Sequence, residues 1–178
     1  MQTLTEKLYQ DSISDLKSKF GYTNALAVPK IKMVSINVGI KATDSDNKLL
    51  NYLLQQVSNI SGQKAVLTKS RKAISTFKLR KDLPIGCMVT LRGKAMYQFL
   101  DKLVNIALPR IRDFRGLSPK GFNQSNHYSF GIKEHSIFLE VDLDNIVKVF
   151  GMNITIATNA KTKEESLFLL KKLNFPIK

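Results

Sequence analysis

The residues with the clearest chemical character in this sequence are cations gathered between Lys69 and Lys81, in the run K-S-R-K-A-I-S-T-F-K-L-R-K. Six of these thirteen residues are Lys or Arg, and none is acidic. The wider stretch between Asp46 and Asp101 holds ten cations and one acid, Asp82. Lys and Arg neutralise phosphate, and Arg also binds it through two parallel donors. The run therefore predicts a loop, at about residues 71–83, that binds a polyanion such as a nucleic acid.

Two apolar residues, Phe77 and Leu79, alternate with Lys78, Arg80 and Lys81 near the end of this run. An aromatic ring among cations can stack on a base while the cations hold phosphates. In the alternative, Phe77 packs back on the core and the loop is a mobile cationic lid. The sequence leaves both interpretations open, and contact of the cations with phosphate is expected in either case.

Two segments alternate in a way that predicts strands with one polar face. Between Lys30 and Ile40, apolar residues alternate with Ser35, Asn37 and Gly39, and between Gly86 and Arg92 they alternate with a second outward set. Short hydroxyl and amide groups beside a cation can bind phosphates and 2′-hydroxyls. An ordinary solvent-facing sheet is the alternative. The outward residues of interest are Asn37, Gln63, Met88, Thr90 and Arg92.

Catalytic and metal-binding interpretations find little support. Cys87 shares its strand parity with Val89 and Leu91, which predicts a buried structural thiol rather than a nucleophile. His127 and His135 lack the spacing and partners of a metal site, and no glycine-rich phosphate motif occurs. We expect no catalytic residue, metal or cofactor.

An acidic row follows in F-L-E-V-D-L-D, where Glu140, Asp142 and Asp144 alternate with apolar residues. The alternation predicts that the three acids share one strand face. That face could be a catalytic or metal-binding row, and a solvated strand surface is the simpler interpretation.

Composition supports a folded, basic protein. The 178 residues are 43% hydrophobic and 24% charged, with a net charge of +14 and a pI near 9.9. This length predicts a single domain, residues 1–178, able to bury a core of its own. All six arginines lie between Arg71 and Arg115, which concentrates the phosphate-binding chemistry there.

Cysteine use and hydropathy favour a cytoplasmic location, or an organellar one if the gene sits inside the organelle. The single cysteine rules out an internal disulfide, and the N-terminus lacks the features of a signal or transit sequence. No apolar run is long enough to span a membrane, so no membrane partner is expected.

Periodicity predicts the elements that position these residues. Helices are expected at Leu4–Phe20, from about residue 47 to Ile60 after N-caps in Thr43–Asp46, from Lys94 to Leu108 before Pro109, and from a capping box at Thr162 to Leu173. Strands are expected at 30–40, 64–70, 86–92, 127–132, 137–139 and 152–157. The absence of regular βαβ alternation predicts an α+β fold, with a mainly antiparallel sheet, helices packed on one face and RNA on the other.

Four segments resemble the L-five family of large-subunit ribosomal proteins, the binders of 5S ribosomal RNA. These segments are V-P-K-I-K-M-V-S-I-N-V-G (28–39), V-S-N-I-S-G-Q-K-A-V-L-T-K-S-R-K-A (57–73), F-K-L-R-K-D-L-P-I-G-C-M-V-T-L-R-G (77–93) and A-L-P-R-I-R-D-F-R-G-L (107–117). Their order and spacing cover nearly the whole chain. The length and the last segment favour the bacterial or organellar branch.

The resemblance implies a structural role in the central protuberance of the large subunit. It implies that 5S ribosomal RNA binds Asn37, Gln63, Thr90 and Arg92, with Lys69, Arg71 and Lys72 nearby. It implies that the loop at 73–83 reaches transfer RNA in the peptidyl site through Phe77, Lys78, Leu79, Arg80 and Lys81. Because the tip of this loop is expected at Lys81–Leu83, Asp82 would make the tip a poorer RNA contact than its flanks.

The resemblance also implies a bridge to the small subunit through a basic protein of its head. Arg110, Arg112 and Asp113 are the candidate bridge residues, together with the acidic row, which could receive a basic neighbour. The expected partners are therefore 5S ribosomal RNA, large-subunit ribosomal RNA, peptidyl-site transfer RNA and neighbouring ribosomal proteins. Two rival functions stay open from the residues: a free-standing RNA chaperone, and a small hydrolase using Cys87 or the acidic row.

Overall fold

The structure is a computed structural model that describes residues 3–40 and 47–178. Within these two ranges the α-helices are α1 (Leu4–Phe20), α2 (Asn47–Ser61), α3 (Gly93–Lys102) and α4 (Lys163–Lys172). The predicted capping residues Thr43–Asp46 lie outside the described residues. The capping box at α4 is confirmed, because the Thr162 side chain accepts from the Glu165 N–H while the Glu165 carboxylate accepts from the Thr162 N–H.

Five strands form one antiparallel sheet in the order β2-β3-β1-β5-β4. They are β1 (Ile31–Gly39), β2 (Val66–Lys69), β3 (Pro84–Leu91), β4 (Tyr128–Ile132) and β5 (Met152–Thr158). The predicted α+β class with an antiparallel sheet is therefore confirmed. No helix within residues 3–40 and 47–178 combines the length and apolar character needed to cross a membrane.

The chain forms two compact units. Unit 1 comprises Met1–Val34, Arg92–Phe130 and Thr155–Lys178, and unit 2 comprises Ser35–Leu91 and Gly131–Ile154. The single domain expected over residues 1–178 stays a prediction.

In unit 2, α2 packs on β3 through the apolar stripe that the sequence predicts. Leu50, Leu53, Val57 and Ile60 are all buried. Gly62, at φ +70°, follows the helix as its stop, in the left-handed conformation that glycine adopts without strain. The buried side of the sheet is thereby fixed, and the exposed side follows from strand alternation.

In unit 1, α1 packs against α3 and α4. The spacing of Leu4, Leu8, Ile13, Leu16 and Phe20 predicts one apolar face for this helix, and that prediction is wrong at the N-terminus. Leu4 is 51% exposed, whereas Thr5, Ser12 and Leu16 are buried. The reason is a tertiary cap: Asp101 of α3 accepts from the N–H groups of Leu4 at 2.9 Å and Thr5 at 2.7 Å, and also from the Thr5 hydroxyl. The helix therefore turns polar residues, not Leu4, toward α3.

Two other predictions from the sequence are wrong. No strand occurs between Ile132 and Met152, a stretch that the structure describes throughout; a 3₁₀ turn at His135–Ile137 replaces the strand expected at 137–139. Pro109 does not end the third helix, which continues after α3 through a π-turn at Leu103–Ala107 into a 3₁₀ turn at Leu108–Arg110. Proline fits there because its fixed φ suits the first turn of a helix.

Candidate nucleic-acid interface

The exposed face of unit 2 is built by β1 and by the paired strands β2 and β3. Val66 lies opposite Met88 and Leu67 opposite Cys87 in antiparallel register. Val66 and Met88 are 65% and 38% exposed, whereas Cys87 is 1% exposed. Because successive side chains point to opposite faces, the predicted parity of β3 is confirmed.

Asn37 is exposed on β1 between the buried residues Ile36 and Val38. Gln63 lies just beyond α2, and its Nε2 donates to the backbone oxygen of Thr90 at 3.3 Å. The structure therefore brings Gln63 against Thr90 of β3. Strand β3 is the neighbour of β1, which carries Asn37. The described residues of this face present amide, hydroxyl and backbone groups and no aromatic ring.

Arg92 is the first residue of the second segment of unit 1, directly after β3 and before α3. Its side chain is exposed, and Nη2 lies 3.5 Å from the thioether sulfur of Met33, also in unit 1. A thioether is a weak acceptor, so the guanidinium keeps its other donors for a stronger one.

The basic loop is an ordered hairpin in unit 2, and its base is tied by Ser70. The Ser70 N–H donates to the oxygen of Leu83 at 2.9 Å, and its oxygen accepts from the Asp82 N–H at 3.1 Å. The buried Ser70 hydroxyl also donates to the oxygen of Arg80. Asp82 therefore lies at the base of the loop, where its backbone pairs with Ser70.

The tip of the hairpin is Ser75–Lys78, so the tip predicted at Lys81–Leu83 is wrong. Ile74 and Leu79 exchange both backbone hydrogen bonds at 3.0 Å, which closes the tip around a 3₁₀ turn at Ser75–Phe77 and Lys78 at φ +52°. A pairing this short leaves no alternation in the sequence from which it could be predicted. The acid thus lies away from the tip, which carries Lys78 and Phe77.

Phe77 is 66% exposed at this tip. The alternative in which it packs back on the core is therefore wrong for this structure, and the ring is available for contact with a partner. Lys69, Arg71, Lys72, Lys78, Arg80 and Lys81 are also exposed, while Leu79 is half-buried. The basic loop presents an aromatic ring and five cations to solvent, and Lys69 at the end of β2 adds a sixth.

Cys87 and the acidic row, the candidates for catalysis or metal binding, do not form a reaction centre in the structure. Burial raises the pKa of the Cys87 thiol to about 11, so the thiolate that a nucleophile needs is scarce at neutral pH. The acidic row is not a strand face: Asp142 accepts from the N–H of Asp144 at 3.1 Å and from the Asn145 amide at 2.6 Å, which folds the segment into a turn. In the described parts of the chain, no three His, Cys, Asp or Glu side chains are grouped to hold a metal ion.

The candidate bridge residues Arg110, Arg112 and Asp113 are exposed in unit 1, on the irregular segment after the π-turn. Asp113 adopts φ +53°, a left-handed conformation that Asp tolerates better than most residues. The acidic row belongs to unit 2. The bridge candidates on unit 1 and the acidic row on unit 2 are therefore two separate groups.

Sequence reasoning missed two contributors to the exposed regions of unit 2. Val66 forms an exposed apolar pair with Met88, and Ser70 ties the base of the hairpin. Strand β2 has only four residues, too few for alternation to predict whether the Val66 side chain is buried or exposed. The role of Ser70 depends on backbone partners ten or more residues away, which no local pattern reveals.

Fold and surface together define a basic α+β protein whose exposed polar and cationic groups lie on an open sheet face and a hairpin. The family model described as "Ribosomal protein L5" matches residues 24–80, and the model for the C-terminus of the same ribosomal family matches residues 84–177. The chain belongs to this family of large-subunit ribosomal proteins.

Relatives named "Large ribosomal subunit protein uL5" support the same assignment across the whole length. The protein from Geobacter sulfurreducens is 48% identical over 100% of this chain and 99% of its own. The protein from Desulfotalea psychrophila is 49% identical over the same shares, and that from Nitrosococcus oceani is 50% identical over 97% of this chain and 96% of its own.

The family membership confirms three predictions from the sequence. The chain is a constituent of the large ribosomal subunit, its resemblance is to the bacterial type, and it is not an enzyme. The hydrolase considered from Cys87 and the acidic row is thereby excluded, and so is the free-standing chaperone as the primary role. The protein is located on the ribosome, with ribosomal RNA and proteins as its partners.

Proposed function

We propose that this large-subunit protein anchors 5S ribosomal RNA in the central protuberance. The residues proposed to bind it are Asn37, Gln63, Thr90 and Arg92, with Lys69, Arg71 and Lys72 beside them. The observation that carries the proposal is the exposed face of unit 2. There the Gln63 amide contacts β3, the strand that carries the Thr90 hydroxyl, and β2 and β3 lead into the cationic hairpin. Such groups suit phosphate oxygens and 2′-hydroxyls, which is how proteins recognise folded RNA by shape.

The lack of an aromatic ring on this face favours backbone and sugar contacts over base stacking. Stacking of unpaired bases is the main use of aromatic side chains in RNA recognition. Val66 and Met88 add an apolar pair that can pack against ribose carbons. Affinity at this face is therefore expected to depend on RNA fold more than on base identity.

The test is binding of isolated 5S ribosomal RNA to the Asn37→Ala and Thr90→Val variants. Each variant removes hydrogen-bonding groups without changing charge, and we expect about a tenfold loss of affinity from each, since a bond to a charged phosphate contributes roughly 1.5–3 kcal/mol. The matched control is Asn51→Ala, because Asn51 is exposed on α2, the helix that covers the opposite side of β3. Equal affinity of all three variants and the unchanged protein rejects this face as the RNA site.

We propose that the hairpin at 73–83 contacts peptidyl-site transfer RNA. Support comes from its ordered backbone, which holds Lys78 and Phe77 at the tip, and from the exposure of Arg80 and Lys81 on its second arm. A ring flanked by cations can stack on a base or ribose while the cations hold phosphates. Leu79 is half-buried and contributes mainly to closing the tip.

We propose that the chain also helps to bridge the subunits through a basic protein of the small-subunit head. Asp113 and the acidic row Glu140–Asp144 offer negative charge on a protein of net charge +14, and Arg110 and Arg112 can pair with acids or RNA. The segment around the acidic row also exposes aliphatic side chains: Leu139, Leu143, Val147 and Val149. Apolar groups rimmed by charge are typical of protein contacts.

Charge reversal tests the bridge. The double variant Asp142→Lys/Asp144→Lys is expected to weaken association of the two subunits while 5S ribosomal RNA binding is unchanged. Asp11→Lys/Glu164→Lys, at exposed positions of unit 1, applies the same charge change elsewhere and leaves the ion pair between Asp15 and Lys172 intact. Subunit association that is equally affected by both double variants argues against a specific bridge.

A further inference from the structure

The segment between β4 and β5, Lys133–Gly151, is closed at its base by a stacked pair of rings. The His135 and Phe150 rings lie 3.9 Å apart between centroids and only 12° from parallel. The His135 side chain has no exposed surface. The His135 N–H donates to the oxygen of Phe150 at 3.1 Å, which joins the two ends of the segment through the backbone as well.

The imidazole also makes contacts through both of its nitrogens. The Phe150 N–H points to Nδ1 at 3.4 Å, and the Tyr52 hydroxyl of α2 lies 3.4 Å from Nε2, with the Tyr52 ring edge-on to the imidazole. Because Nδ1 accepts a hydrogen bond, it carries no proton, so a neutral ring must carry its proton on Nε2 and can donate it to Tyr52. This network fits the neutral ring with its proton on Nε2, and protonation of Nδ1 would remove the acceptor of the Phe150 N–H.

We propose that His135 is a clamp that holds the segment Ser136–Val149 in place only while its imidazole is neutral, and that mild acid releases the segment. Protonation of Nδ1 makes the ring present an N–H, in place of an acceptor, to the Phe150 N–H. It also places a positive charge on a buried ring that lies against the Phe150 and Tyr52 rings. Loss of the accepting nitrogen leaves the Phe150 N–H unpaired. The rings then separate, and the segment loses its closure.

Burial has a larger effect on the pKa of His135 than the surrounding charges do. Burial lowers the pKa of His135 and outweighs smaller raising influences from the Phe150 backbone and the nearby Glu134 charge, while the N–H that Phe150 donates to Nδ1 stabilises the neutral ring. Tyr52 faces the ring from α2, and Lys148 lines the cavity next to Phe150. Because the folded pKa is lowered, the closed clamp is fully stable above about pH 6.5 and loses stability as the pH falls from there toward the folded pKa.

The clamp matters because of what the segment exposes. Its acids and its exposed aliphatic residues are the groups proposed above for the subunit bridge, so this consequence rests on the proposed function. A released segment no longer presents these groups in one arrangement. Bridge contacts through unit 2 are therefore expected to weaken in acid, while the clamp itself is a property of the isolated chain.

Hydrogen exchange of the isolated full-length chain tests the clamp without RNA or the small subunit. The amide of Phe150, corrected for its intrinsic rate, is expected to lose protection as the pH falls from 6.5 toward the lowered folded pKa of His135, by at most about tenfold per pH unit, since opening takes up at most one proton. The Leu53 amide in α2, which is not part of the clamp, is the internal reference and should hold its protection. A flat Phe150 profile between pH 7.5 and 5 overturns the proposal.

The matched variant is His135→Gln. Glutamine has an amide that can accept from Phe150 or donate to Tyr52, and it does not titrate. Its Phe150 protection is expected to be independent of pH over the same range; acid sensitivity equal to that of the unchanged protein overturns the proposal. If the variant does not fold, nuclear magnetic resonance of the His135 ring in the unchanged chain decides: titration at or above pH 6.5 contradicts the clamp, and titration well below it supports the clamp.

A second arm separates the clamp from its consequence. Reassembled large subunits carrying the unchanged chain or His135→Gln are tested for association with small subunits between pH 7.5 and 5.5. We expect a larger acid loss with the unchanged chain than with the variant. A pH-dependent Phe150 amide with identical association curves supports the clamp and rejects the role of this segment in the bridge.

Discussion

Single residues in unit 2 show how closely the backbones of β1 and β3 approach. A Cβ atom on Gly86 would lie 2.2 Å from the backbone oxygen of Val38, a distance that no side chain can occupy. Gly39, by contrast, has no atom within 4 Å of an added Cβ. The two glycines therefore have different roles: Gly86 permits the sheet to form, and Gly39 leaves the proposed RNA face open.

Alanine at Gly86 is expected to destabilise the protein by about 1–3 kcal/mol, because strand β1 must move to admit the methyl group. Urea denaturation followed by circular dichroism measures this change. Gly39→Ala is the control and should unfold at nearly the same urea concentration as the unchanged protein. Equal midpoints for the two variants contradict the close approach at Gly86.

The sequence predicts the burial of a residue correctly where strand alternation determines it. It fails where contacts with residues distant in sequence determine it. Parity was sufficient to bury Cys87 and to expose Asn37, both of which the structure confirms. It could not reveal the contact of Gly86 with Val38, because that contact depends on how two strands come together. The buried ring of His135 was missed for the same reason, since its partners Tyr52 and Phe150 are far away in sequence.

At the scale of elements, α1 depends on a residue almost a hundred positions away. The Asp101 carboxylate accepts from two backbone N–H groups in the first turn of α1, which otherwise have no partner within the helix. Periodicity predicted the helix and both of its ends. The cap, and with it the buried face of the first turn, could not be predicted, because Asp101 belongs to another helix.

Asp101→Ala is expected to lower the free energy of unfolding by about 1–2 kcal/mol, the usual cost of losing a helix N-cap. Thermal and urea unfolding measure the loss. Asp11→Ala, which removes an exposed acid from α1 itself, serves as the control for a change of one negative charge. If both variants lose the same stability, the charge and not the cap is responsible.

The hairpin at 73–83 is the element that tests the division of the RNA surfaces. Replacing Arg80 and Lys81 by Ala is expected to leave the affinity for 5S ribosomal RNA within about twofold and to impair translation, because these cations are assigned to transfer RNA. Binding to 5S ribosomal RNA and translation in a reconstituted system are measured on the same variant. Loss of 5S binding shows that the assignment of surfaces is wrong.

The sequence predicted this element as a loop, and the structure makes it a hairpin closed at Ile74 and Leu79. Two residues are too few for a pattern of alternation to appear, so the tip was placed wrongly. The strand expected at 137–139 failed in the opposite way: Ile137 and Phe138 are buried without strand pairing, in and beside the 3₁₀ turn at His135–Ile137, and Leu139 is exposed. Short apolar runs do not distinguish these outcomes.

At the scale of the whole molecule, the charge distribution is the property that the sequence predicts best. A net charge of +14 with all six arginines in one quarter of the chain indicates a polyanionic partner, and membership of a ribosomal family provides one. Charge does not identify which RNA binds where, because phosphate contacts carry no sequence information. That assignment rests on the exposed face of unit 2 and on the family.

The most direct test of the central claim is the salt dependence of binding to isolated 5S ribosomal RNA. With Lys69, Arg71, Lys72 and Arg92 each neutralising one phosphate, the affinity is expected to fall about a hundredfold when salt rises from roughly 50 to 200 mM. Lys69→Ala/Lys72→Ala should reduce the slope of log affinity against log salt by about one for each lysine. An affinity that does not change with salt, or a slope unaffected by the double substitution, contradicts the account.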